Sequence, residues 1–154
     1  KKPIFLGTWN VRTLRETRRC AQAVREVHQY HPTLLDMCEV RWNSFGEIKL
    51  ETGETLLYSG KANEEDQHEA GVALLLSKEA ARSLMEWEPV SDRIITARFE
   101  SRFQQVFIIV CYAPTNNAEE DTKDLFYSKL LVSNATVLQM GHRVYDATYT
   151  KNMA

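Results

Sequence analysis

TWNVR at residues 8–12 is the stretch that decides the fold of this chain, and two later stretches repeat its pattern, CEVRW at residues 38–42 and CYAPT at residues 111–115. In each of them polar residues directly follow an apolar run. In layered α/β proteins, loops at the carboxyl ends of buried strands carry the chemistry. The three stretches therefore predict an enzyme-type scaffold with its site residues at strand ends.

The composition predicts one globular domain with a sizeable core. The chain has 154 residues, of which 44% are hydrophobic and 26% charged. Its three cysteines have no paired spacing, so we expect buried thiols rather than disulfide or zinc partners. The sequence shows no secretion signal and no apolar run of about 18 residues, so we expect a protein of the nucleus or cytoplasm that is neither secreted nor membrane-bound. The sequence leaves the oligomeric state open, and we expect a monomer.

The charge is distributed unevenly along the chain. Residues 1–30 hold seven Lys or Arg and two acids, whereas residues 44–70 hold seven acids and two Lys. A basic first third suits a polyanionic partner such as nucleic acid, because cationic side chains neutralise phosphates. A solvated helix face explains the same charges equally well.

Hydrophobic periodicity and turn residues predict strands that alternate with helices and hairpins. The predicted elements are strand 4–9, a helix from Thr13 or Thr17 to before Pro32, a central strand 33–40, a hairpin of 47–50 and 55–58, strand 70–76, a helix from the Ser77 cap through Trp87 closed by Pro89, a hairpin of 93–99 and 105–111, and helix 118–131. This order predicts an α/β (α+β) fold, a four-layered α/β/β/α sandwich of two mostly antiparallel sheets.

Three strand-end residues are candidates for chemistry. Glu39 follows a buried run, where a carboxylate is costly unless it is paired or binds a cation. It is either a magnesium ligand or a salt-bridge partner of Arg41, Arg12 or Arg93. Asn10 is either a site amide or a turn residue, and Tyr112 is either a site hydroxyl or a packed aromatic.

Six blocks in order resemble the endonuclease/exonuclease/phosphatase superfamily, and within it the endonuclease domain of non-LTR (LINE/RTE-like) retrotransposons. The blocks are GTWNVRT (7–13), CEVRW (38–42), LLYSG (56–60), GVALLLS (71–77), RIITARF (93–99) and CYAPTN (111–116). The resemblance runs from about residue 3 to 131. We therefore expect residues 1–131 to be the N-terminal portion of such a domain and residues 132–154 to be a divergent tail rather than a second domain.

The resemblance implies a Mg²⁺-dependent phosphodiesterase, with Mn²⁺ as a substitute, that nicks DNA and leaves a 3′ hydroxyl as primer for a fused or separate reverse transcriptase. By position, Glu39 is the implied metal ligand, and Asn10 and Tyr112 are the implied catalytic residues. The implied nucleic-acid contacts are Arg12, Arg15, Arg41 and Arg93. Arg12 replaces an acid found in many superfamily members, which favours the retrotransposon branch.

The tail departs from the family pattern. VLQMG at residues 137–141 resembles the strand that leads into the family's Asp-x-Asn motif, but His142-Arg143-Val144 follow it, and no Asp-His motif is recognisable. We expect a truncated, marginally stable domain. His142 and Asp146 are either a surrogate acid-base pair or ordinary surface residues, and we expect the latter. Three hypotheses follow: a DNA endonuclease, an inactive remnant that retains at most nucleic-acid binding, or a phosphatase or phospholipase-type phosphodiesterase of the same fold.

Overall fold

Two β-sheets form the centre of the molecule in the computed structural model, which describes residues 4–15 and 17–139. The first sheet is mixed and has the order β1-β2-β5-β4-β3. Its strands are β1 (Leu6–Asn10), β2 (Leu34–Cys38), β3 (Phe45–Lys49), β4 (Thr55–Ser59) and β5 (Val72–Leu76). The second sheet is antiparallel and consists of β6 (Leu84–Ser91), β7 (Ile94–Glu100) and β8 (Gln105–Cys111). The predicted α+β sandwich is confirmed.

Three helices complete the described layers. They are α1 (Thr17–Tyr30), α2 (Lys78–Ser83) and α3 (Glu120–Gln139). The first connects β1 to β2, the parallel pair of the five-stranded sheet, and covers that sheet's outer face. The third lies against β8. Within the described residues, no helix is both long enough and apolar enough to cross a membrane.

The core is divided by the five-stranded sheet because successive side chains of a strand point to opposite faces. Leu74 and Leu76 of β5 pack between the two sheets, together with Ile95 of β7. Ala73 and Leu75 pack on the other face, against Val27 of α1. All five residues of β5 are buried, as a strand covered on both faces requires. This rigid centre fixes the positions of the neighbouring strand ends.

The predicted helix from Ser77 through Trp87 is wrong in its second half. The Ser77 hydroxyl caps α2 by accepting a hydrogen bond from the Ala80 amide at 3.1 Å, as expected. The helix ends at Ser83, and β6 follows and pairs with β7 along its length. Pro89 lies within β6 and does not end a helix; β6 is an edge strand of the sheet, where the missing N–H is tolerated.

The last helix also differs from its prediction. It runs to Gln139 instead of ending near residue 131, so residues 137–139 are helical and not part of a strand. Met140, Gly141, His142 and Asp146 lie outside the described residues.

Candidate active site

The candidate site begins where β1 and β2 end side by side. These strands are parallel, and their register pairs Asn10 with Cys38. Glu39 is the next residue after β2, so a polar side chain lies at the carboxyl end of each strand, at the same end of the sheet. The Val11 amide donates to the Cys38 carbonyl at 3.1 Å and continues the pairing past the strands.

Tyr112 reaches the same point from the second sheet. It follows β8, and its amide donates to the Arg93 carbonyl at 2.9 Å, just before β7. Its hydroxyl donates to Glu39 Oε1 at 2.7 Å. The site therefore spans both sheets and requires their packing.

A network of hydrogen bonds fixes the Glu39 carboxylate. Asn10 Nδ2 donates to Oε1 at 2.8 Å, so both Asn10 and Tyr112 use the same oxygen. The orientation of the Asn10 amide is set by its other end, because Oδ1 accepts from the Arg12 amide at 3.0 Å. Oε2 faces the Arg41 guanidinium at 3.7 Å.

The network keeps Glu39 negatively charged at neutral pH. Partial burial acts to raise the pKa of Glu39, but the hydrogen bonds from Tyr112 and Asn10 and the positive charges of Arg41 and Arg12 outweigh it and lower the pKa. Burial and the neighbouring carboxylate raise the pKa of Tyr112 to about 12. Tyr112 is therefore a hydrogen-bond donor at physiological pH, not a base.

Three of the four predicted arginines surround this network. Arg41 and Arg12 act on the Glu39 carboxylate, as stated above. Arg93 donates to the Tyr112 carbonyl at 3.2 Å, and its guanidinium lies 5.3 Å from the centre of the Tyr112 ring. Arg15 does not join them; it lines a separate cavity with Trp42 and Tyr58. The salt bridge that was the alternative for Glu39 is present with Arg41, but that side chain is 45% exposed, where such pairs are weak.

The backbone at the two strand ends is unusual. Arg12, Glu39 and Arg41 have φ values of 56°, 58° and 58°, in the left-handed region that favours glycine. Amides on either side of these turns are held in place: Val40 N–H bonds to the Gly71 carbonyl at 3.2 Å and Arg41 N–H to the Ala70 carbonyl at 2.9 Å. Such conformations cluster at functional sites, where surrounding structure maintains them.

The residues at this site fit a hard divalent cation held by one carboxylate. Within the described part of the chain, no group of three or more His, Cys, Asp or Glu residues is placed to hold a metal ion. Mg²⁺ does not need such a group, because water and substrate phosphate commonly complete its shell around one or two carboxylates. Glu39 is ionised at neutral pH, and two hydrogen bonds to Oε1 orient its carboxylate, so it is the residue that would hold such an ion.

Two features were missed by sequence reasoning. Asp36 was visible as the one acid in an apolar strand, but its environment was not: its Oδ1 is buried and accepts no hydrogen bond from the described residues. Burial raises the pKa of Asp36 to about 7. The second feature is the cavity at Trp42, which depends on a strand register that no sequence motif reveals.

Solved structures with the same fold include an AP endonuclease and the endonuclease domain of a retrotransposon. The APE2 catalytic domain of Xenopus laevis aligns with a TM-score of 0.67 and 14% identity over 90% of this chain and 55% of its own. The AP endonuclease LMAP of Leishmania major aligns with a TM-score of 0.59 and 13% identity over 88% of this chain and 47% of its own. The endonuclease domain of TRAS1, a telomere-specific non-LTR retrotransposon, aligns with a TM-score of 0.55 and 12% identity over 90% of this chain and 54% of its own. The chain has the fold of these nucleases.

Two curated proteins are similar in sequence, and both are named craniofacial development protein 2. The protein of Bos taurus is 28% identical over 130 residues, which are 84% of this chain and 21% of that protein. The protein of Tragulus javanicus is 27% identical over the same length, 22% of its own. The chain thus spans about a fifth of the curated relatives it matches. No family model matches the chain.

Proposed function

We propose that this chain belongs to a Mg²⁺-dependent DNA endonuclease domain that nicks DNA and leaves a 3′ hydroxyl for target-primed reverse transcription. The observation that carries the proposal is the Glu39 carboxylate, which receives hydrogen bonds from Asn10 and Tyr112 and remains charged at neutral pH. The nuclease folds of the structural neighbours support it.

Each residue of the network has a separate role in this proposal. Glu39 would hold Mg²⁺, which would polarise the scissile phosphate and stabilise the leaving oxygen when bound. Asn10 orients the carboxylate, and its own amide is fixed by the Arg12 backbone. The Tyr112 hydroxyl is protonated and donates its one hydrogen to Glu39, so to contact a phosphate oxygen it would have to turn that hydrogen away from the carboxylate. Arg12, Arg41 and Arg93 add positive charge where the DNA backbone would lie, whereas Arg15 contributes farther away.

One observation favours a second candidate, a nucleic-acid-binding domain without cleavage activity. In residues 4–15 and 17–139, the described contacts of the Glu39 side chain are with Asn10, Tyr112 and Arg41, none of which has an imidazole or a carboxylate. A general base that activates water is therefore not assigned among these groups. Whether the chain cleaves DNA decides between the two candidates.

The experiment is nicking of supercoiled plasmid by the purified chain with Mg²⁺ or EDTA. We expect Mg²⁺-dependent nicking, and Glu39→Gln should reduce its rate by about 100-fold or more, because the variant keeps the shape and loses the charge that binds the ion. Glu54→Gln is the matched control. It makes the same change at the opposite end of the strands of the five-stranded sheet and should leave the nicking rate unchanged.

Three outcomes are informative. Equal loss of nicking in both variants would contradict the assignment of Glu39. A folded wild-type chain that binds DNA without nicking it would support the second candidate. A chain that neither binds nor nicks DNA would exclude both.

A further inference from the structure

A recess lies at the same end of the five-stranded sheet as Glu39. It is an open cavity of about 430 Å³, within the usual range for ligand sites, and its walls include Arg15, Trp42, Asn43, Tyr58, Glu64 and His68. Trp42 is three residues beyond Glu39, a chain distance of at most about 10 Å. Tyr58 lies near the end of β4, two strands from β2, which is again about 10 Å. The recess therefore adjoins the candidate active site.

Two aromatic rings form one wall of the recess. The rings of Trp42 and Tyr58 meet edge to face, with their centres 5.1 Å apart. The Trp42 indole N–H donates to the Leu14 carbonyl at 3.1 Å, which fixes the ring plane. Gly46 pairs with Tyr58 across the strands, and a Cβ there would come within 2.8 Å of the Tyr58 hydroxyl. Both rings also pack against the core, so the wall is preformed.

The opposite wall is polar and tightly held. Asn43 Nδ2 donates to the carbonyls of Glu64 at 3.1 Å and Asp66 at 2.8 Å. Its Oδ1 is buried and accepts no hydrogen bond from residues 4–15 or 17–139. His68 Nδ1 donates to the Arg41 carbonyl at 3.1 Å. These contacts hold an acidic segment, which contains Glu64, Glu65, Asp66 and Glu69, beside the aromatic wall.

This combination selects the class of ligand. The two rings are nearly perpendicular, so a planar ligand ring can stack on the face of one of them, and every nucleobase has such a stacking face. The acidic segment disfavours a phosphate inside the recess, whereas the exposed side chain of Arg15, with Arg12 and Arg41 beside Glu39, favours phosphates toward the solvent side. Carboxylate and amide oxygens accept hydrogen bonds from base N–H groups.

We propose that the Trp42 recess binds one unpaired nucleobase of the DNA strand whose phosphate lies at Glu39. With a rise of about 3.4 Å per nucleotide in a stacked strand, this base lies within about three nucleotides of the scissile phosphate. The proposal rests on the proposed function in taking DNA as the polymer that crosses the site. It adds a stacking contact that would make the domain prefer locally unpaired DNA.

The test compares two charge-matched ligands in EDTA, so that no cleavage is required. One is a single-stranded oligothymidine, and the other is an abasic tetrahydrofuran-phosphate polymer of the same length. We expect the wild-type chain to bind the base-bearing polymer about 5- to 100-fold more tightly, the range expected for one stacked base. The NMR signal of the Trp42 indole N–H should shift only with the base-bearing polymer.

Variants locate the effect. Trp42→Leu should bring the two affinities together, whereas Trp87→Leu, the same change in β6, should preserve the ratio. Arg15→Gln changes an exposed side chain. It should weaken the binding of both polymers without changing the ratio of the two affinities. If Trp42→Leu does not fold, the wild-type ratio and the Trp42 signal still decide.

Equal affinities in the wild-type chain would overturn the proposal, as would a base preference that persists in folded Trp42→Leu. These failures are distinct from failure of the proposed function. If the chain nicks plasmid but binds the two polymers with equal affinity, it has the proposed activity and lacks this subsite. If it prefers the base-bearing polymer but does not nick plasmid, it has the subsite and lacks the activity.

Discussion

Glu39 and Glu54 lie at opposite ends of the strands of the same sheet. Comparing them shows what separates a candidate catalytic carboxylate from a structural one. Both side chains are partly buried, with 21% and 14% of their surface exposed. Burial acts to raise the pKa of both, and hydrogen bonds and positive charge outweigh it, so both pKa values are lowered. On this measure the two residues are alike.

Their partners differ. Glu54 Oε1 lies 2.7 Å from His28 Nε2, and Oε2 accepts a hydrogen bond from the Thr52 hydroxyl, so its two oxygens have separate partners. The hydrogen bonds that Glu39 accepts from Asn10 and Tyr112 come from neutral groups and share Oε1, and the Arg41 guanidinium is 3.7 Å from Oε2. A lowered pKa therefore does not identify a site; the arrangement of donors and charges around the carboxylate does.

Asp36 provides the opposite case, with a pKa raised to about 7 between the sheets. Its folded-state pKa is higher than the ordinary value of 3.8, so the contribution of Asp36 to stability should be fully present below about pH 4 and should be lost as the pH rises through about 7. A difference of this size corresponds to about 4 kcal/mol. Asp36→Asn should remove this loss, as measured by urea unfolding at pH 4.5 and pH 8. A wild-type chain equally stable at both values would contradict the burial of an ionisable Asp36.

Tyr112→Phe should have the next largest effect on stability. It removes a hydrogen bond to a charged group, which is worth about 1.5–3 kcal/mol. Because Glu39 has a lowered pKa, this contribution is present above its ordinary pKa and is lost as the pH falls through the lowered value. Carboxyl NMR titration should show the pKa of Glu39 rising in the variant. Tyr58→Phe is the control, and an unchanged Glu39 titration in Tyr112→Phe would count against the contact.

Glu54→Gln should have the smallest effect, at most about 1 kcal/mol, because the His28 side chain is 41% exposed and the pair is screened by solvent. The lowered pKa of Glu54 again places this contribution above its ordinary pKa, so wild type and variant should become equal in acid. Urea unfolding at low and high salt measures the difference, which salt should reduce. A loss of several kcal/mol would show that Glu54 is more than a peripheral partner.

Sequence reasoning located the strand ends because apolar runs end there, and it therefore placed Asn10, Glu39 and Tyr112 correctly at the ends of β1, β2 and β8. It could not show that Tyr112 contacts Glu39, since stacking of two sheets is not encoded in local periodicity. It also failed for residues 84–87, where pairing with β7 overrides the helical pattern. The α3 helix has apolar residues around its circumference, so its end could not be located from an amphipathic pattern.

The separation along the chain between the partners of Glu39 has a consequence for how the molecule assembles. Asn10 is 29 residues away and can meet Glu39 once β1, α1 and β2 have formed, whereas Tyr112 is 73 residues away. Contacts between distant residues form late because closing a long loop costs entropy before any contact is gained. Glu39 therefore acquires its second donor only when the two sheets have closed on each other. At a pH between the lowered and the ordinary pKa of Glu39, the loss of a proton from this carboxylate during refolding would therefore report that final step.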